Sequence, residues 1–580
     1  MSEEKSGKNS LSRRDLLKFG SLAVAGAAAA GALTACGPKS DAGGSAGSAS
    51  GGATPEAITY SAGHERRGLP GFLVAPEPLK AEETKDFDVV VLGAGAAGVC
   101  AALSAAENGA KVALVQKGSE AICQGNAGAG INLEKSNPAH VSALVASIIK
   151  NNQHRATYDA VNLWAWNSGE AVQWVLDRTQ PIIGNYKAQD GTPCEATDIA
   201  NANNAALLGS TKWELLFVTS NFAPKPTNAG HGMMALAQVA ADAGVEIFYS
   251  TEAKQLVKEG DRVIGAVGEQ DGKLIQFNGS KGVIVATGDF QNDDEMMGYY
   301  LPDCRYFDRK QWGKTGDGHK MIIWAGGKME DIGHTKMLHD FDAGPASMCD
   351  MPFLAVDYYG NRFVNEKEAG MSLLNNYLRG TSNDDAGWYV QVFDSKYYDH
   401  QDWPGMKAPT SAPEYLQTAV NPEVNSDGHI KGVFTDLIRT YNAATLEELA
   451  DKLYGKQPNA ADAKKNFLAS VKRYNELVAK GVDEDFGKDA KWLTPIESGP
   501  FYGIYRHLRL SCGAMSGVVV DGKTHQCISV DNQPIPGLYA VGNIASGFYG
   551  GVDYPLDVFG MSLGRCYTEG YVVGRDLAKS

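Results

Sequence analysis

Val89-Val90-Val91-Leu92 is an unbroken apolar run rich in β-branched residues, and its lack of polar alternation predicts a short strand buried on both faces. It ends in Gly93, Gly95 and Gly98, and the chain then turns alanine-rich, so that Val99–Asn108 predicts a helix stopped by Gly109. Apolar residues resume at once, and Val112–Gln116 predicts a second strand. Asn228-Ala229-Gly230-His231-Gly232 opens a further helix, while Val245–Tyr249 and Gly282–Phe290 predict buried strands, the latter running into a loop. Ala444–Tyr454 and Ala460–Ala479 repeat apolar positions at helical spacing, with Gly481 as the stop of the second. Trp164, Trp166 and Trp174 fall in a stretch of helical pattern and are expected in a packed core.

The G-x-G-x-x-G between the first strand and its helix has a physical reading. One glycine permits the tight turn, one lets backbone approach a pyrophosphate, and one lets helix pack on strand. The phosphates then sit on free N–H groups at the positive end of the helix dipole. This predicts a bound dinucleotide held by Gly93, Ala94, Gly95, Ala97 and Gly98, and leaves NAD and FAD both open. Gln116-Lys117 stands where a ribose-binding acidic residue is expected about 20 residues on, and the Gln116 amide oxygen is available to a ribose hydroxyl. A second glycine-dense loop, with Gly125, Asn126, Gly128, Ala129 and Gly130, suits close passage of backbone along a flat ring system.

With 580 residues the chain has length for a large core and more than one domain. A net charge of -15 argues against nucleic acid and against direct binding to anionic lipid. Nine cysteines contain no C-x-x-C pair, so zinc-ribbon, dithiol and covalent haem readings have no support, and no metal site is expected. At the N-terminus, Ser12-Arg13-Arg14-Asp15-Leu16-Leu17-Lys18 resembles a twin-arginine export signal with Phe19–Leu33 as its apolar region, too short to span a bilayer. Leu33-Thr34-Ala35-Cys36 resembles a bacterial lipobox, which implies a diacylated Cys36 and a body held outside the cytoplasmic membrane by lipid alone. Ser40–Thr54 is a Gly/Ser/Ala tether.

Several distant segments match one family in order. Ala286–Phe290 resembles A-T-G-G-F, Thr315–Gly318 matches T-G-D-G, Gly360–Glu366 resembles G-x-R-F-x-N-E, and Ile535–Asn543 resembles I-P-G-L-Y-A-x-G-E. Together they resemble the fumarate-reductase/succinate-dehydrogenase flavoprotein family in its FAD-dependent oxidoreductase branch, over roughly residues 85 to 580. The resemblance implies FAD and an α/β fold: a Rossmann-like FAD-binding domain assembled from both chain ends, with an inserted α+β capping domain. The expected divisions are a signal at 1–36, a tether and lead-in at 37–84, FAD-binding segments at 85–330 and 510–580, and the cap at 331–509. It adds Ala286, Thr287, Gly288, Asp317, Gly542, Asn543, Ser562 and Leu563 to the cofactor site, and places the active site where cap meets flavin.

The family's fumarate chemistry needs an arginine acid and further arginine and histidine to hold carboxylates. Here Gly370 takes the acid's place, Gly513-Ala514-Met515-Ser516-Gly517 lacks the family's histidine, and Gly551–Asp557 lacks its last arginine. A dicarboxylate would be poorly paired, which is costly in a closed site, so fumarate is not the expected substrate. His339 falls one residue from the family's Q-x-H-P histidine. Aromatic residues stand in or near the vacated places: Tyr358, Tyr359, Tyr377, Tyr549 and Tyr554. Ser546–Gly551 and Tyr554-Pro555 through Gly564 resemble the ketosteroid-dehydrogenase branch, which implies that Tyr554, with Tyr549, does proton or oxyanion work. Arg506, Arg509 and Arg565 are candidates to bind a substrate carboxylate or an FAD phosphate, with ordinary surface or structural pairing the first expectation.

The expectation is an exported, lipid-anchored FAD oxidoreductase that reduces an activated C=C bond of a small molecule. A separate cytochrome or quinone-linked partner would supply the electrons, since the chain carries no second nucleotide fold, haem motif or cluster motif. A tyrosine-based ketosteroid or phenolic dehydrogenase, and a flavin-containing relay lipoprotein without turnover, are the alternatives.

Overall fold

A computed structural model describes residues 70–580 apart from 126, 189, 200–212, 225–227, 305–307, 310–312, 332–333, 340–350, 368–387, 401–402, 404–439, 508, 513–514, 516 and 552–557. The export signal, Cys36, the tether, Asn126, Gly370, Tyr377 and Tyr554 therefore lie outside the described residues. In chain order, the site is built from β1 (Glu83–Leu92), α1 (Ala96–Glu107), β2 (Val112–Val115), β3 (Ala127–Ile131), α2 (Tyr158–Thr179), β4 (Glu246–Phe248), β5 (Lys273–Val285), α3 (Asp317–Trp324), β6 (Pro534–Ala540) and α4 (Met561–Lys579).

Val89 to Leu92 have no exposed surface, because β1 lies mid-sheet with parallel neighbours on both sides: β2, with Val89 opposite Val112, and β5, with Val89 opposite Gly282. β6 adds in parallel to the far side of β5, with Leu538 opposite Val283, so a strand from near the C-terminus sits two places from the first. The path runs Gln526–Ile528, β6, β5, β1, β2, β4, and an antiparallel hairpin, Thr251–Glu259 with Arg262–Gln270, branches from β5. Parallel strands place their C-terminal ends, and the loops that follow them, along one edge, where ligands bind in open α/β sheets.

A second, antiparallel sheet has the order Leu354–Val356, Trp388–Phe393, Phe501–His507, Thr440–Ala443. The helices Leu446–Tyr454 and Ala460–Lys480 cover it, burying Leu449, Leu453, Phe467, Val471, Tyr474 and Leu477. Gly481, at φ +69°, ends the longer helix in the left-handed conformation its sequence predicts. Met337–His339 pairs antiparallel with Arg509–Cys512, so the two stretches expected to begin and end the cap lie side by side. The R-F-x-N-E motif is structural here: Arg362 forks to Glu366 (2.9 and 2.9 Å) and to Asp483 (2.9 and 2.7 Å), and Lys488 Nζ reaches Glu366 at 3.2 Å.

Of the three tryptophans expected in the core, Trp164 and Trp174 are buried in α2, but Trp166 is 40% exposed, because its helical position turns away from the packed face.

Candidate cofactor and active site

Where β1 runs out, Gly93 adopts φ +100°, and a Cβ there would stand 2.7 Å from Ala286 O. A Cβ on Gly98 would stand 1.8 Å from Gly93 O, so only glycine lets α1 fold back against the turn. Gly95 differs, since its nearest neighbour would be Ile122 O at 3.7 Å, and no other atom of the described residues would stand within 4 Å. Gly95 caps α1 without a side-chain hydrogen bond, which leaves the first-turn N–H groups of α1 for an anion. An uncapped helix start beneath a glycine with open space fits the diphosphate of FAD.

The cleft over this turn is lined by Gly93–Gly95, Val115–Gly118, Ile122, Thr251, Ala253, Ala286, Thr287, Gly313, Lys314 and Asp317. Gln116 belongs to it. Its amide oxygen accepts Ala94 N–H at 3.2 Å and its NH₂ donates to Glu120 O at 3.1 Å, which fixes the side chain and leaves the oxygen a second lone pair. Lys117 Nζ reaches Asp317 Oδ2 and Thr315 Oγ1, both at 2.8 Å, and Thr315 donates to Asp317 Oδ1 at 2.8 Å. Gly313, Lys314, Thr251 and Ala253 were not read from the sequence; Lys314 directly precedes T-G-D-G and carries the only sequence signal among them.

The second glycine-dense segment departs from expectation. Ala127–Ile131 is a fully buried strand, and its glycines make room for protein: a Cβ on Gly128 would meet Tyr567 Cε2 at 2.3 Å, and one on Gly130 would meet Ser168 O at 2.1 Å. Gly125, Ala127 and Ala129 are instead gripped by the start of α4, with Leu563 Cδ1 at 3.2 Å from a Cβ on Gly125 and Ala129 N–H donating to Gly560 O at 2.9 Å. Gly560 caps α4 in a left-handed conformation with no side-chain cap, so Ser562 and Leu563 lie in a second uncapped first turn.

Arg565, fully buried one turn on, holds this end of the site together. It donates to Glu569 Oε1 at 2.6 Å, Met515 O at 3.2 Å, Gly542 O at 3.2 Å and Ala545 O at 2.9 Å, while Glu569 Oε2 accepts Gly542 N–H at 2.6 Å. Asn543 Oδ1 lies 3.8 Å from Cys566 Sγ. Phe548 and Tyr549 pack over the guanidinium at 4.9 and 5.3 Å, and Tyr549 has no exposed surface. The structure thus gives Tyr549 a packing position, with its hydroxyl out of solvent reach. His339 is the last residue of its strand, its backbone opposite Arg509. Tyr358 and Tyr359 belong to the turn after the strand Leu354–Val356, where Tyr358 packs on Trp388 at 5.4 Å and Tyr359 is 41% exposed. Arg506 is buried and donates to Gln391 Oε1 at 2.8 Å.

Three buried histidines, His319, His334 and His525, escaped sequence reasoning, because none lies in a motif. His319 in α3 sits edge-on to Phe290 at 5.2 Å, and His334 stacks on Tyr300 at 4.5 Å. Burial lowers His334 to about 4, so it is neutral at physiological pH. It precedes Thr335, whose backbone O accepts Met515 N–H at 2.7 Å and whose Oγ1 accepts Gly551 N–H at 2.9 Å.

A family model described as an FAD binding domain matches residues 88–554. The chain is 26% identical over 497 residues to the NADH:fumarate oxidoreductase of Klebsiella pneumoniae (strain 342), covering 80% of this chain but 45% of that protein, so it spans about half the length of that relative. It is 27% identical over 520 residues to the vinyl phenol reductase of Lactiplantibacillus plantarum, covering 85% of this chain and 96% of that one. The structure of 3-ketosteroid-Δ4-(5α)-dehydrogenase from Rhodococcus jostii RHA1 matches with a TM-score of 0.58 at 22% identity, over 86% of this chain and 98% of that one, a likeness of fold.

Proposed function

Because this chain belongs to the FAD binding domain family, we propose that it is an FAD-dependent oxidoreductase acting on CH–CH bonds, which reduces a C=C bond conjugated to a carbonyl group or an aromatic ring. One observation carries the choice of substrate class. The buried guanidiniums among the described residues, Arg362, Arg506 and Arg565, are each engaged by protein partners: Glu366 and Asp483, Gln391, and Glu569 with three carbonyls. None of these three is placed to clamp a dicarboxylate, whereas a neutral or singly charged unsaturated compound makes no such demand. The vinyl phenol reductase it resembles over 96% of that protein's length is named for a C=C bond next to an aromatic ring.

Bound FAD would supply the hydride equivalent. The glycine turn Gly93–Gly98 and the start of α4 hold and orient the cofactor, and Arg565 and Glu569 fix the loop at Gly542 against it. Tyr554 donates the proton from its hydroxyl, since a phenol with an ordinary pKa of about 10 is protonated at neutral pH yet can give its proton to a carbanion as it forms. Electrons come from a separate redox partner, and the resemblance of residues 12–36 to a twin-arginine signal with a lipobox supports a body held outside the cytoplasmic membrane on a lipid anchor. Among the described residues no helix is long and apolar enough to cross a membrane.

The test is anaerobic reoxidation of the dithionite-reduced protein by a panel of enones, enoates, 4-vinylphenol and fumarate. Rapid reoxidation by an enone, enoate or vinylphenol supports the reading, and fumarate as the best oxidant refutes the substrate class. Tyr554→Phe should slow the reoxidation at least a hundredfold while FAD stays bound; near-normal turnover removes Tyr554 from the mechanism. The tyrosine–proline–glycine pattern at Tyr554–Gly564 supports a second reading, a ketosteroid-type dehydrogenase, which predicts bleaching of the oxidised protein by a saturated ketone.

A further inference from the structure

The cleft above the glycine turn is lined by three charged side chains among the described residues, Lys117, Lys314 and Asp317, and they are not equivalent. Lys117 is neutralised by Asp317 at 2.8 Å and hydrogen-bonded to Thr315. Lys314 makes no ion pair and no side-chain hydrogen bond among the described residues; only its backbone is bound, its N–H donating to Asn292 Oδ1 at 3.0 Å and its O accepting Asn292 N–H at 2.8 Å. Its ammonium lies over the α-carbon of Gly288, 3.1 Å from where a Cβ would be, with Cδ and Cε at 3.6 and 3.8 Å. Gly288 follows Ala286 and Thr287, and Ala286 O is the atom against which Gly93 packs, so the ammonium stands beside the turn that receives the phosphates. On its other side it acts on Cys123, one residue beyond Ile122 of the cleft wall. Burial pushes that thiol up to about 11, and Lys314 is the largest influence opposing the rise.

A dinucleotide's diphosphate carries a negative charge on each phosphate, while a helix N-terminus offers the equivalent of about half an elementary charge. Among the described residues the cleft otherwise contributes no net charge, because Lys117 and Asp317 cancel. We propose that Lys314, not Lys117, is the counter-cation of the FAD diphosphate, and that Gly288 is glycine in part to leave room for its ammonium. A lysine suits this task as a compact point charge on a flexible stem, able to follow the phosphates without a fixed fork geometry. The inference concerns the hold on the cofactor and is independent of which compound is reduced.

The experiment uses the purified flavoprotein. Flavin release is followed by recovery of flavin fluorescence on dilution at increasing NaCl, and the bound diphosphate by its phosphorus NMR resonances, in wild type, Lys314→Met and Lys314→Arg. The expected result is at least a tenfold weaker hold on FAD in Lys314→Met, displaced phosphorus resonances, and release that no longer quickens with salt as it does in wild type; Lys314→Arg should stay within about threefold of wild type. Retention of FAD by Lys314→Met as in wild type overturns the proposal. So do unmoved phosphorus resonances alongside a shifted flavin absorption band, which would put the lysine at the ring. Equal losses in Met and Arg variants overturn it too, since shape rather than charge would then matter. If Lys314→Met does not fold, salt-insensitive release from the wild-type protein overturns it, and salt-driven release with Lys314→Arg near wild type upholds it.

Discussion

Lys117 Nζ and Asp317 Oδ2 meet at 2.8 Å across 200 residues of sequence, joining the end of β2 to the turn that opens α3. Thr315, which accepts from the lysine and donates to the aspartate, closes the triangle. The two side chains keep 32% and 22% of their exposure, and pairs of that kind contribute at most about 1 kcal/mol. Asp317→Asn should therefore lower the melting temperature by no more than about 2 °C. It should also loosen one wall of the cleft and release FAD severalfold faster in gel filtration. A large fall in melting temperature with flavin retained would show that the pair serves the fold and not the cofactor.

Gly95 and Gly98 stand three residues apart in one motif but answer to different neighbours. A methyl group on Gly98 would stand 1.8 Å from Gly93 O, so Gly98→Ala must move the helix off the strand and should yield little soluble protein. A methyl group on Gly95 meets nothing closer than Ile122 O at 3.7 Å. Gly95→Ala should fold with an unchanged circular dichroism spectrum and lose most of its yellow colour. A fully yellow Gly95→Ala protein would mean that the cofactor does not approach the turn at that point.

That contrast marks the limit of what spacing conveys. The glycine turn and the strands β1, β5 and β6 are legible because their signals are local: three glycines at fixed intervals and short runs of residues with no polar member. What faces each glycine is not local. Gly128 and Gly130 look like cofactor-lining residues until Tyr567 and Ser168, from helices 439 and 38 positions away by number, occupy the space. Gln116 looks free to turn until Ala94 N–H and Glu120 O fix both ends of its amide. Lys314 shows as a lone cation only once Lys117 has been paired with Asp317. The arginines and histidine lost from the family pattern are a negative signal that the sequence carries in full, but what replaced them depends on Tyr554, which lies outside the described residues.

His334 links the fold to pH. Burial against Tyr300 and Phe290 holds it at about 4, below the ordinary 6.5. A histidine depressed in the folded state contributes stability above its unfolded pKa, and that contribution is lost as pH falls from about 6.5 towards 4. The full loss is on the order of 3 kcal/mol. The melting temperature of the wild-type protein should decline over this interval, and His334→Phe, which keeps a flat ring on Tyr300, should flatten the decline. An equal slope in the variant would assign the acid lability to other groups.

The antiparallel sheet and its covering helices have their own acid-labile element at lower pH. Arg362 reaches Asp483 through two hydrogen bonds of 2.9 and 2.7 Å, and their side chains are 6% and 0% exposed. Burial alone would raise the Asp483 carboxyl, but the Arg362 guanidinium and the N–H groups of Lys488 and Phe486 overcome it and hold the group at about 2. A carboxylate depressed in the folded state stabilises above its unfolded pKa, so this contribution is intact above about pH 4 and disappears as pH falls towards 2. Asp483→Asn leaves Arg362 with Glu366, which Lys488 already shares at 3.2 Å, so one buried positive charge loses its partner. Breaking a buried pair in this way costs about 3 kcal/mol. Because Asp483 follows the helix Ala460–Lys480 and lies outside the glycine turn, flavin content should survive, and the two helices over the antiparallel sheet should show earlier protease cleavage and faster amide exchange over Leu446–Lys480. Flavin loss in step with opening of these helices would instead mean that they hold the cofactor in place.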